Sequence, residues 1–315
     1  MVPAEFLIIF SLYVLAAALV LDRLAGDPRS ALHPVALAGR FIAWWGRPDR
    51  YPPRLQRAAG VLFWWMTVFL CAFLIFLFLK FAPLIVILIG APLLLKCCFA
   101  WRSLEDHLAT VTDALGKSTE AGREAVKMLV SRETSSLSYE QVLSAAYESL
   151  SENLTDSIVS PLFYYALFGL VGAVVYRAAN TMDAMLGYRD ERERLGWWSA
   201  RADDLLNFLP ARITVLFLLV YFTFRGRFSA AYRIMRRDGK KRPGFNGGIV
   251  MGAMAGGLGI RFEKPGVYAI GDAERPLPEG GYEILRAVRA VALMAALFAA
   301  GTLFLLGSWI NSMGI

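Results

Sequence analysis

The sequence predicts an all-α, polytopic integral membrane protein with cytoplasmic amphipathic helices and at least one broken or re-entrant segment. Three observations carry that expectation. The chain of 315 residues is 57% hydrophobic and 19% charged, with a mean hydropathy of +0.49, too apolar for an ordinary soluble domain. Four stretches approach the ~20 apolar residues that a helix needs to cross a ~30 Å hydrocarbon core. The polar segments show helical periodicity, and no strand-like alternation is convincing. The expected organisation is one membrane-embedded domain over 1–315, with 101–157 as a cytoplasmic helical insertion.

The four simple spans are Phe6–Leu21, Gly60–Leu79, Phe81–Ala100 and Ala287–Ile310. The first has Glu5 ahead of it and no Lys or Arg, so it reads as a retained span rather than a cleaved leader. Only Lys80 separates the second and third, with Pro83 close behind, which predicts a tight helical hairpin. Ile158–Ala179 is long enough to span but is interrupted by Gly169 and Gly172. Ile213–Phe224, at ~1.5 Å per residue, is too short to cross alone.

Charge tests the topology. The Asp22–Ala59 segment carries seven Arg and no Lys, which places it in the cytoplasm, and Trp101–Ser157 lands on the same side. Arg177–Arg212 and Arg225–Arg242 are both basic as well. Single crossings at Ile158–Ala179 and Ile213–Phe224 would put one of them outside. At least one of these two elements is therefore expected to be broken, lining a protein cavity. The net charge of +7 needs no nucleic acid, because juxtamembrane Arg and Lys give the same total.

Within the polar insertion, Leu104, Leu108, Val111 and Leu115 recur at helical steps, with Ser103 and Asp106 spaced as a capping box. A second helix is expected near Ala121–Val130, and a third over Ser138–Ser151, capped by Ser138 and Gln141. Gly116-Lys117-Ser118-Thr119 resembles the end of a Walker A loop, but Val111 stands where its first Gly should be. It reads as a helix end and turn. Three Cys in apolar runs exclude a disulfide framework, and two His leave little room for a catalytic triad.

Several polar constellations remain. Glu148, Glu152 and Asp156 fall at i, i+4 and i+8 with Asn153 beside them, a carboxylate stripe entering the Ile158 stretch. Acids so close repel and call for a compensating cation. Mg²⁺ with phosphates suits hard oxygen donors; the competing reading is a helix face with Arg partners. Asn180 and Asp183 lie one turn apart, followed by Arg201, Asp203, Asp204, Asn207 and Arg212, which suits a phosphate-plus-metal site or interhelical salt bridges. Asp27 and His33 flank a turn expected at Gly26 and Pro28. Asn246-Gly247-Gly248 opens a small-residue stretch to Gly259, which fits close helix packing or a flat ligand. Lys264 and Asp272 follow in a polar loop.

Five ordered blocks carry a resemblance over nearly the whole chain. They are Leu21-Asp22-Arg23-Leu24-Ala25-Gly26-Asp27-Pro28 with His33-Pro34-Val35 and Gly39-Arg40; Glu148-Ser149-Leu150-Ser151-Glu152-Asn153 with Asp156 and Ser160-Pro161-Leu162-Phe163; Ala179 to Tyr188; Ser199-Ala200-Arg201-Ala202-Asp203-Asp204 with Asn207 and Leu209-Pro210-Ala211-Arg212; and Ala253 to Gly259. Together they resemble the CobD/CbiB family, the adenosylcobinamide-phosphate synthases. Departures are Ser131-Arg132-Glu133-Thr134 where many members read Gly-Arg-Asp-Thr, Asp156-Ser157 for Asp-Gly, and Gly244-Phe245-Asn246 for Ser-Pro-Asn.

The resemblance implies a multi-pass enzyme of the cytoplasmic membrane, its active site facing the cytoplasm. It would join adenosylcobyric acid, through the propionate f carboxylate, to aminopropanol or its O-phosphate. Amide formation needs an activated carboxylate, hence ATP as co-substrate with Mg²⁺. On this expectation Glu152, Asp156, Asp203 and Asp204 hold metal, with Glu152 and Asp156 counted as catalytic, and Asp27 or His33 serves as base. Arg40, Arg201, Arg212 and Lys264 bind phosphates or corrinoid carboxylates, and Asn153, Asn180, Asp183, Asn207 and Asn246 line the substrate. Partners are the lipid bilayer and no nucleic acid, with room for a homo-oligomer or contact with other corrinoid-pathway enzymes. The rival readings are a corrinoid transporter or receptor, and a signalling protein of the AmpE type.

Overall fold

The computed structural model describes residues 4–27, 33–281 and 283–312. In chain order the first helices are α1 (Ala4–Ala25), α2 (Pro34–Trp45), α3 (Gln56–Phe81) and α4 (Leu84–Lys96). Then come α5 (Trp101–Leu115), α6 (Thr119–Lys127), α7 (Tyr139–Leu154), a π-turn at Thr155–Val159, α8 (Ser160–Leu186) and α9 (Trp197–Leu206). The rest are α10 (Phe208–Phe224), α11 (Phe228–Asp238), α12 (Gly247–Leu258), strands β1 (Phe262–Lys264) and β2 (Tyr268–Ile270), α13 (Leu277–Gly281) and α14 (Ile284–Ser312). The all-α expectation holds except for this hairpin, whose strands pair antiparallel with Phe262 opposite Ile270. Three residues per strand are too few to print an alternating pattern in the sequence.

Among the described residues, five helical stretches are long and apolar enough to cross a membrane, so the protein is multi-pass. The pair α9 and α10 qualifies only when taken together, broken at Asn207. Inside α8, Gly169 takes φ 62° and ψ −154°, a backbone that side-chain-bearing residues avoid. The sequence predicts an interruption in at least one of these elements, and each has one.

The chain divides into two compact units. One comprises Met1–Ala100, Ser160–Leu206 and Ala296–Ile315, and the other Trp101–Val159 and Asn207–Ala295. In the first, α8 packs on α2, α3, α4 and α9, and α1 packs on α4. Its core joins Ile42, Trp45, Trp64, Val68, Met182, Leu186 and Leu195. Only Ala82 and Pro83 connect α3 to α4, as Lys80 and Pro83 predict. Across that turn Gly90 of α4 faces the Phe78 ring of α3, and α4 also packs on α1 and α8. The turn expected after α1 is present at Gly26 (φ 62°), whereas Pro28 lies outside the described residues.

In the second unit α7 is central, contacting α5, α6, α12, α13 and β1. Its predicted capping box is formed: Gln141 N–H donates to Ser138 Oγ (3.3 Å) and Ser138 N–H to Gln141 Oε1 (3.0 Å). The Ser103 box is not, because α5 already begins at Trp101 and Asp106 pairs instead with Arg102 at 3.5 Å. Gly116 ends α5 and Ser118 caps α6, so the Walker-like run is a helix-to-helix turn. The small residues of α12 serve packing. A Cβ on Gly256 would meet Ala230 O of α11 at 2.5 Å, and one on Gly257 would run into the Phe222 ring of α10.

Candidate functional site

The second unit contains a polar cavity of about 290 Å³. Its floor is the face of α7 carrying Glu148, Glu152 and Asn153, and its walls are the Leu129–Arg132 turn, Arg242-Pro243 and the hairpin residues Lys264 and Tyr268. Glu148 is only 2% exposed, so its charge requires close partners. It has three. Arg132 Nη2 (2.9 Å) and the Tyr268 hydroxyl (2.7 Å) donate to Oε2, and Ser144 Oγ (2.8 Å) donates to Oε1. Ser144 Oγ also accepts the Glu263 N–H at 2.7 Å, which ties the hairpin to the same carboxylate.

One turn along α7, Glu152 receives Arg242 in a two-pronged pair, Nε to Oε1 at 2.6 Å and Nη2 to Oε2 at 3.0 Å. Asp156, displaced into the π-turn, acts electrostatically on the same guanidinium. The acidic stripe is therefore neutralised by arginines. Burial, then the Glu148 charge, push the Tyr268 phenol well above its usual range and keep it a donor. Lys264 has no ion-pair partner among the described residues. Three cations (Arg132, Arg242, Lys264) face two carboxylates (Glu148, Glu152), a formal excess of one positive charge. Such a cavity suits an anion, with Lys264 as the point charge and the arginines as planar forks.

The first unit carries an acidic centre. Asn180 on α8 donates from Nδ2 to Asp203 Oδ1 at 3.2 Å and accepts from Arg177 Nη1 at 3.2 Å. Asp183, one turn along α8, lies within electrostatic reach of Asp203 and Asp204 on α9. Arg201 is exposed on the same helix. Among the described residues no group of three or more His, Cys, Asp or Glu side chains is placed to hold a metal ion. The donor set nevertheless fits Mg²⁺, which takes one or two carboxylates and fills its shell with water and substrate phosphate. Glu152 fits less well, since Arg242 engages both its oxygens.

At the start of α2, His33 is the N-cap: its Nδ1 accepts the Val35 N–H at 3.3 Å. That bond assigns the ring proton to Nε2, which is buried and has no partner among the described residues. Burial, opposed by Asp27 and reinforced by Lys96 and Arg177, holds the imidazole pKa below its ordinary value. Asp27 itself is exposed and pairs with the buried Lys96. Arg40 is exposed. In the second unit, Arg212 Nη1 donates to Asn246 Oδ1 at 2.6 Å and lies 3.7 Å over the Phe208 ring; Asn207 is buried.

A profile described as CobD/CbiB protein matches residues 15–296. The chain belongs to the CobD/CbiB family. A probable cobalamin biosynthesis protein CobD of Methanothermobacter thermautotrophicus is 40% identical over 90% of this chain and 94% of its own. Its counterpart in Thermococcus kodakarensis is 46% identical over 80% and 82%. The cobalamin biosynthesis protein CobD of Dehalococcoides mccartyi is 39% identical over 87% and 89%. No solved structure matches the chain at a significant level.

For this CobD/CbiB member, the sequence-predicted residues sort into distinct centres. Glu152, Asn153 and Lys264 share the cationic cavity, with Asp156 beside Arg242. Asn180, Asp183, Asp203 and Asp204 form the acidic centre. Asp27 and His33 stand together near Lys96. The four expected metal carboxylates are thus two from each unit. Sequence reasoning did not assign Arg132, Glu148, Arg242 or Tyr268. Arg132 stood in the Ser131–Thr134 block, a usable signal. Arg242 was hidden in a basic run that reads as juxtamembrane charge, and Tyr268 had no signal.

Proposed function

We propose that the protein acts in cobalamin biosynthesis as an ATP-dependent amide-forming ligase, joining aminopropanol or its O-phosphate to the propionate f carboxylate of adenosylcobyric acid. The observation that carries this reading is the make-up of the cationic cavity. The Glu148–Asn153 helix is one of the sequence blocks that resemble a family whose relatives are named for this pathway, and with the Arg132 turn and Lys264 it converges on one anion-sized space.

In the proposed reaction, a substrate carboxylate oxygen attacks the γ-phosphorus of ATP and ADP leaves. The amine nitrogen then attacks the acyl carbon, inorganic phosphate leaves, and the amine gives up a proton. Asp203 and Asp204, with Asp183 behind them, would hold Mg²⁺, which neutralises phosphate charge when bound. Arg132, Arg242 and Lys264 bind and orient the anionic groups. Asp27 takes the base role, beside His33, whose Nδ1 is engaged in the cap. The active site faces the cytoplasm on this reading, where the arginine-rich Asp22–Ala59 segment belongs.

A second reading has one observation in its favour. Both cavity glutamates are tied to arginines, the lining expected of a protein that binds an anionic corrinoid without transforming it. The deciding experiment is mass spectrometry of detergent-purified protein with adenosylcobyric acid, Mg-ATP and each amine in turn. A product heavier by aminopropanol, or by its phosphate, is expected. Corrinoid binding with no product from either amine overturns the ligase.

A further inference from the structure

We infer that the first unit carries a binding site for an anionic phospholipid, with an acyl chain in an apolar cleft and the headgroup phosphate on Arg177. The inference is independent of the ligase reading. A cleft of about 380 Å³ lies among α2, α3, α4 and α8. Its lining is almost wholly apolar, including Phe41, Leu70, Leu74, Leu94 and Ala178. A volume in the range of ligand pockets with such walls does not hold ordered water.

One cation breaks this lining. Arg177 lies on α8 at the end of its apolar run and opens onto this cleft, where an arginine among apolar walls is costly unless an anion or a polar group compensates it. Its Nη1 donates to the neutral amide oxygen of Asn180 (3.2 Å). Its Nε is buried without a partner, and it makes no ion pair among the described residues. Asp27 is nearby but is engaged by Lys96. The first turn of α2, with Pro34 and Val35 on the cleft wall, adds the helix N-terminal partial charge, and the unpartnered His33 Nε2–H precedes it. A hydrocarbon-lined cleft ending at a guanidinium, a helix N-terminus and a spare N–H donor matches a long apolar tail with a phosphate head. In a protein that spans a bilayer, the membrane is the source.

Native mass spectrometry of the full-length protein, delipidated in detergent and offered phosphatidylglycerol or phosphatidylcholine, tests this. One phosphatidylglycerol per chain should survive detergent exchange, and phosphatidylcholine should be lost. Arg177→Gln should weaken retention about tenfold or more, since a charge-assisted bond contributes ~1.5–3 kcal/mol, while Arg177→Lys keeps a measurable adduct. Ala178→Trp, which fills the cleft and leaves the cation in place, should abolish it. Equal retention of both lipids, or retention unchanged in Arg177→Gln and in Ala178→Trp, overturns the site. Displacement of the lipid by adenosylcobyric acid also overturns it and assigns the cleft to the corrinoid.

Discussion

Arg242 holds Glu152 through two hydrogen bonds, from Nε at 2.6 Å and Nη2 at 3.0 Å, across 90 residues of sequence. Both side chains are about a quarter exposed (27% and 28%), so water screens the pair only in part. Its loss should be felt twice, in the geometry of the cavity and as a carboxylate left facing the Asp156 charge. Glu152→Gln and Arg242→Gln should therefore be non-additive, with a coupling of about 1–2 kcal/mol in unfolding. Turnover in each single variant should fall roughly tenfold or more. If Glu152 is instead a metal ligand, its variant raises the Mg²⁺ requirement and shows no coupling to Arg242.

Lys264 lines the cavity and makes no ion pair among the described residues. Lys264→Ala should raise KM for the anionic substrate by roughly tenfold with little change in kcat, as expected for an interaction made equally before and during reaction. The wild-type advantage should shrink as salt rises. Initial rates at two ionic strengths check both points.

The acidic centre makes a different demand. Asp203→Asn should raise the Mg²⁺ concentration for half-maximal rate by roughly tenfold, with recovery in excess Mg²⁺. The same substitution at Asp27 should leave that concentration unchanged. A Mg²⁺ titration of both variants settles which carboxylate holds the ion.

His33 gives stability a pH dependence. Its folded-state pKa is lowered, chiefly by burial, so below pH ~6.5 the unfolded chain takes up a proton that the folded one resists. Stability is fully present above that value and is lost as pH falls through the lowered pKa. His33→Asn keeps an N-cap acceptor and removes the titration. Its thermal midpoint should fall less between pH 7 and pH 5 than that of the wild type.

Gly257→Ala places a methyl against the Phe222 ring. Overpacking of this kind costs ~1–3 kcal/mol, and Phe222→Leu in the same chain should recover part of it. An undiminished thermal midpoint in the single variant would show that α10 and α12 do not approach as closely as described.

Much of this protein follows from local sequence. The apolar runs determine α1, α3 and α14 because a bilayer-length helix needs only length and hydrophobicity. Ser138 and Gln141 determine where α7 begins, and Gly169 where α8 breaks, because both act within a few residues. The family blocks identify Glu152, Asn153, Asn180 and Asp203 as residues that matter, and Lys264 stands out as a phosphate-type cation in the polar loop. Sequence could not say which of them meet, since the partners of Glu148 and Glu152 are 16, 120 and 90 residues distant. Only the tertiary structure turned the carboxylate stripe into arginine-paired groups. It also spent the Nδ1 lone pair of His33 on a helix cap and opened a cleft among α2, α3, α4 and α8. The physical reason is the same in each case: a side chain's charge and hydrogen-bonding state are set by what the fold brings within about 3 Å of it.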